Sequence, residues 1–200
     1  CTSLSVEKNY VDTHGQSEPG FAFTHLLGFK LMPRLADIAH QRLYLPNMAF
    51  AAQVPNLAAV QAQRSIRRDL IRQQYEPMVK YATALRLGLA DPEAILQRFT
   101  RANAQHPTYA ALCELGKVLR TIFVCEYLHR EEVRREIHEG LNVIETWNGT
   151  TNFIFFGKGG EISTNNLEAQ EISMLALQLL QNSLVYVNTL MIQRVLGSET

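Results

Sequence analysis

Near the N-terminus two β-prone strings flank a helix that is marked at both ends, and this pattern most constrains what the chain can fold into. Glu7 to Asp12 (EKNYVD) holds the strand formers Tyr10 and Val11 and stops at the turn signal Thr13-His14-Gly15. Pro19 opens a helix, Phe21, Phe23, His25, Leu26 and Leu27 supply its packing surface, and Gly28 ends it. Phe29 to Met32 (FKLM) forms the second strand, stopped by Pro33. Strand, helix and strand in so short a space predict a βαβ unit with its two strands parallel. Asp12 then stands at the carboxyl end of its strand, where open α/β sheets place their ligands.

Beyond Pro46 the pattern reads as nearly pure helix as far as Arg135. An amphipathic, Arg-rich helix is expected over Asn56 to Tyr75. Asp91-Pro92-Glu93 opens another, with Asp as N-cap, Pro in the first turn and Glu near the positive end of the dipole. Tyr109 to His129 follows, with Leu112, Leu115, Leu119, Ile122 and Phe123 on its apolar side. Glu131 to Asn148 repeats apolar residues at Val133, Ile137, Leu141 and Ile144, spacings of three and four. Phe153 to Phe156 is a short apolar run that ends in the tight loop Gly157-Lys158-Gly159-Gly160. Leu167 to Leu196 is a long helix closed by Gly197. From Ile172 to Gln193 it carries no charge, yet Gln178, Gln181, Asn182, Ser183, Asn188 and Thr189 interrupt it too often for a lipid-facing span, which predicts a buried helix and no membrane.

The cysteines Cys1, Cys113 and Cys125 have no paired spacing, which argues against a disulfide framework or a zinc site and for a reducing, cytoplasmic setting. Cys1-Thr2-Ser3-Leu4 lacks an initiator Met and the features of a signal peptide, so a start partway through a longer protein is expected. The 19 Lys and Arg balance the 19 Asp and Glu, which weighs against a nucleic-acid binder, although the placement of charge matters more than its sum.

Three features admit chemistry, each beside a plainer reading. Asp12 is either part of an ordinary Asp-Thr-His-Gly turn or a carboxylate held rigidly at a strand end, suited to Mg²⁺. Asn142, Glu145 and Asn148 form a polar strip on a helix that is either merely exposed or functional. Arg64, Arg68 and Arg72, spaced by four with Arg67 beside them, are either a solvated face, with Asp69 and Glu76 nearby, or a stripe that contacts phosphates. The histidines show no metal-ligand spacing, and Gly157, Gly159 and Gly160 do not match a phosphate-binding loop.

Taken together, three strings resemble the catalytic region of the Tn-three family of replicative DDE transposases: Asn9-Tyr10-Val11-Asp12-Thr13-His14-Gly15-Gln16-Ser17, Gly140-Leu141-Asn142-Val143-Ile144-Glu145-Thr146-Trp147-Asn148, and Phe153-Ile154-Phe155-Phe156-Gly157-Lys158-Gly159-Gly160-Glu161-Ile162. His25-Leu26-Leu27-Gly28-Phe29 and Leu112-Cys113-Glu114-Leu115-Gly116-Lys117 fit the same pattern. The resemblance implies an α/β, mostly α fold: residues 1–46 as part of an RNase H-like core, 47–130 as a helical insertion, and 131–200 as the rest of the core. It implies that Asp12 and Glu145 are the second and third catalytic, metal-binding carboxylates, and it places the first upstream of residue 1. Two Mg²⁺ ions, cleavage at transposon ends and strand transfer into target DNA follow from the same resemblance. So do double-stranded DNA as partner, a homo-oligomer on that DNA and a bacterial cytoplasmic setting. His14, Asn142 and Lys158 become candidate DNA contacts beside Arg64, Arg67, Arg68 and Arg72. With two carboxylates of three, the isolated chain is expected to show little or no activity. The competing expectations are a non-enzymatic helical remnant that binds DNA or protein, and a different RNase H-like nuclease.

Overall fold

In the computed structural model, residues 5–99, 106–154 and 164–197 are described. The N-terminal expectation holds closely. Strand β1 (Lys8–Val11), helix α1 (Glu18–Leu27) and strand β2 (Lys30–Pro33) form a βαβ unit, and the strands pair in parallel from Lys8 opposite Lys30 to Val11 opposite Pro33. Ser17 caps α1 by accepting from the Gly20 N–H at 3.1 Å. Gly28 ends it at φ 94°, a left-handed conformation that glycine adopts without a Cβ penalty, and returns its N–H to the His25 carbonyl.

The helix expected over Asn56 to Tyr75 does not form as one piece. Pro55–Val60 is a 3-10 turn, residues 61–67 are irregular, and the α-helix begins only at α2 (Arg68–Gln73). Hydrogen bonding gives the reason. Ala62 donates to the Leu43 carbonyl at 2.9 Å and Ile66 to the Leu45 carbonyl at 3.1 Å, so these N–H groups are spent on a neighbouring extended segment. Helices α3 (Tyr75–Arg86) and α4 (Pro92–Arg98) follow, and Asp91 caps α4 through Ala94 at 2.8 Å. Then come α5 (Pro107–His129), α6 (Glu131–Ile154) and α7 (Leu167–Gly197).

The chain divides into two units, 1–141 and 142–200, with the boundary inside α6. In the first, α1 and α5 are central. One core joins Phe21, Leu31, Met32, Phe123, Val124, Ile137 and Leu141 around the sheet, and the other joins Phe23, Met78, Ile95, Phe99 and Leu112 around α3 and α4. The two helices touch closely at Gly116, where a Cβ would stand 1.9 Å from the Glu18 carbonyl oxygen. In the second unit, Gln181 of α7 donates to Thr151 of α6 at 2.6 Å.

The burial expected of α7 is not met among the described residues. Leu177 and Gln181 are buried, whereas Leu175, Leu179, Tyr186, Met191 and Leu196 are each more than 60% exposed. By length and composition this helix could cross a membrane. Its apolar residues lie all round its axis, so they need cover on every side that the described residues do not supply.

Candidate active site

The string Asn9 to Ser17 runs from the end of β1 through a tight turn to the N-cap of α1. β1 ends at Val11, whose carbonyl accepts from Arg34 at 2.9 Å, and Asp12 follows at the carboxyl end of the parallel pair with its side chain exposed. A 3-10 turn, Thr13–Gly15, closes when the Gly15 N–H returns to the Asp12 carbonyl at 3.2 Å. Gly15 is required there: a Cβ would meet the Val11 side chain at 2.6 Å. Gln16 braces the turn by donating to the Thr13 carbonyl at 2.8 Å, and Ser17 starts α1. His14 lies within this turn. Asp12 thus stands at the end of β1 and opens a turn, which is common to both readings of this residue.

The second string rides on α6. Lys8 and Tyr10 of β1 both engage the Glu136 carboxylate, Tyr10 through its hydroxyl at 2.6 Å. One turn later Gly140 lets the helix lie against the Tyr10 ring, where a Cβ would sit 2.9 Å away. The hydrogen bonds from Lys8 and Tyr10 hold Glu136 below the usual carboxylate range, and the same bond pushes the Tyr10 hydroxyl up. Sequence reading missed Glu136 and Lys8. Their signal was faint: an acid four residues before the first glycine of a motif. Glu145 is exposed further along α6, Asn142 is half-buried, and Asn148 is exposed, so the polar strip is real.

The arginines do not form the expected helical stripe. Arg64 and Arg67 precede α2, and both pair with Glu114 of α5, at 3.1 Å and 3.4 Å. Arg68 and Arg72 do share an α2 face and are exposed. Lys158 and the glycine loop around it lie outside the described residues. Among the described residues no group of three His, Cys, Asp or Glu is placed to hold a metal ion. Carboxylates such as Asp12 and Glu145 are hard oxygen donors of the kind Mg²⁺ takes.

Comparison with known proteins gives the same direction. The sequence pattern of the Tn3 transposase DDE domain matches residues 1–199. The transposase for transposon Tn1546 of Enterococcus faecium is 34% identical over 94% of this chain and 19% of its own length. The transposase for transposon Tn21 of Escherichia coli is 31% identical over 96% of the chain, and that for Tn501 of Pseudomonas aeruginosa 30% over 96%. The chain spans about a fifth of the length of these relatives, 19% in each case. With a match over nearly all of its length, this chain belongs to the Tn3 transposase DDE domain family.

Proposed function

We propose that this chain is the C-terminal part of the catalytic region of a replicative transposase, which cuts DNA at transposon ends and joins the exposed 3′ hydroxyls to target DNA. The observation that carries the reading is the Asp12 turn, a family motif seated at the carboxyl end of a parallel strand. In this reading residues 1–46 belong to an RNase H-like core, 47–130 to a helical insertion, and 131–200 to the rest of the core.

Asp12 and Glu145 are the carboxylates that would hold Mg²⁺, with a third acid from outside the residues assigned here. When bound, the two ions activate the attacking oxygen and stabilise the leaving one in an in-line displacement. The chain's own bonds shape the local backbone of the motifs. The Gly15 and Gln16 bonds fix the Asp12 turn, and Glu136 with Gly140 seats α6 on β1. Arg68 and Arg72, exposed on one face of α2, are proposed to meet the phosphate backbone of double-stranded DNA, as are His14, Asn142 and Lys158 from the motifs. A homo-oligomer assembled on DNA in the bacterial cytoplasm belongs to the same reading.

In the full-length protein, Asp12→Asn and Glu145→Gln should each cut DNA cleavage by a factor on the order of a thousand or more, as loss of groups acting in the transition state does. Melting temperature and duplex binding should stay near wild type. Wild-type cleavage by either variant removes that residue from the site. Cleavage by the wild type with no joining of strands would favour a nuclease instead.

A further inference from the structure

The residues between Asp37 and Asp69 include Arg42, Arg64, Arg67, Arg68 and His40 and not one carboxylate, an unusual local excess in a chain of net charge zero. The fold concentrates it. Segments 41–45 and 60–66 run side by side: Leu43 donates to the Val60 carbonyl at 2.9 Å, and Leu43 bridges Gln61 in parallel. Along the first segment burial alternates as extended chain requires, with Gln41, Leu43 and Leu45 inside and Arg42 and Tyr44 towards solvent. On the outer side Arg42, Tyr44, Gln61, Ala62, Gln63 and Arg64 line a cleft of about 320 Å³.

Several bonds hold this cleft in shape. The Tyr44 N–H donates to Thr121 of α5 at 3.1 Å, and the Lys117 ammonium lies 5.4 Å from the centre of the Tyr44 ring. Gln61 is tied to the Val54 carbonyl at 3.2 Å. Arg42 uses Nη1 on the carbonyls of Ala39 and Gln41, and Arg64 uses Nη1 on Glu114. Their Nη2 and Nε groups have no partner among the described residues, so each guanidinium keeps donors for an anion.

We propose that this cleft is a docking site for a phosphodiester of the DNA backbone, gripped by Arg42 and Arg64 and flanked by Tyr44, Gln61 and Gln63. The proposal rests on the reading that the protein acts on DNA, and it names residues apart from Asp12 and Glu145. Phosphate contacts of this type position a duplex and carry no base preference.

The test measures binding of the protein to a fluorescein-labelled 30-base-pair duplex of arbitrary sequence by anisotropy, across a series of NaCl concentrations. Arg42→Gln should weaken binding roughly fivefold near 100 mM NaCl and reduce the slope of log affinity against log salt by about 1. Arg42→Lys should keep the slope. Gln63→Glu, a change at an exposed position that places an acid in the cleft, should weaken binding at least as much as Arg42→Gln. Unchanged affinity and slope in both Arg42→Gln and Gln63→Glu, with wild type binding normally, overturns the cleft and leaves the transposase reading standing. Failure of the wild type to bind duplex DNA overturns both. Equal loss of binding to a polyglutamate probe would show a general anion patch and overturn the assignment to DNA.

Discussion

Glu114 lies on α5 with 1% of its side chain exposed, and four donors reach it: Arg64 Nη1, the Arg67 N–H and Nε, and Lys117 Nζ. Burial by itself would push its pKa up, yet the Arg67 N–H, Lys117 and Arg64 outweigh it and hold the group below its ordinary 4.5. A depressed folded pKa means the stabilisation is in place above about 4.5, the value free of the fold, and is lost as pH falls through the folded pKa. Replacing the charge while keeping the shape leaves Lys117, 7% exposed, without its counter-ion. Glu114→Gln should therefore cost about 3 kcal/mol, which in a chain of this size lowers the Tm by roughly 10 °C at pH 7. The gap between wild type and variant should narrow as the melts are repeated below pH 4.5. Equal melting temperatures at pH 7 would sink this account. The same bonds explain why Arg64 and Arg67, which look like surface charges in the sequence, are half committed to the interior.

At the level of elements, three helical glycines separate by what surrounds them. A Cβ at Gly116 would meet the Glu18 backbone at 1.9 Å; at Gly140 it would press on the Tyr10 ring at 2.9 Å; at Gly149 nothing lies within 4 Å. Alanine gains about 1 kcal/mol in helix propensity at each position. At Gly149 that gain stands alone. At Gly140 a ring that can swing offsets it, leaving a change of about zero. At Gly116 a backbone carbonyl of α1 must move, and a net loss of about 2 kcal/mol is expected. Urea midpoints for the three Ala variants should fall in the order 149, 140, 116. A Gly116→Ala midpoint at or above wild type would contradict the close crossing of α1 and α5. Helix α7 offers the opposite lesson. Its sequence predicts burial, and the described residues bury Leu177 and Gln181 alone among the positions of this 31-residue helix.

For the whole chain, charge is balanced in sum and uneven in place. The pI is about 7.2, and the basic run between Asp37 and Asp69 is offset by acids elsewhere. Near neutral pH little net repulsion keeps copies apart, while α7 exposes apolar side chains along its length. Light scattering by the chain at low salt should peak near pH 7 and fall on either side, at pH 5.5 and pH 9. A flat profile would mean that α7 is covered in solution. The balance that counts against nucleic-acid binding by sum thus leaves room for it by location.

The sequence by itself determined the strand–helix–strand unit between residues 8 and 33, the caps of α1 and α4, and the extents of α5 and α7. Those follow from turn chemistry, capping and periodicity, which act over a few residues. Tertiary structure decided what depends on partners far along the chain. The segment before α2 is extended because Leu43 and Leu45 take its N–H groups, and the arginine stripe is split because Glu114 claims two of its members. The Arg42 cleft needs two segments some twenty residues apart, although the alternation in Gln41-Arg42-Leu43-Tyr44-Leu45 was there to be read. Glu136 acquires its role only when α6 meets β1. Hydrogen bonds and ion pairs between distant residues leave no periodic trace in a single sequence, and those are the interactions that join these segments.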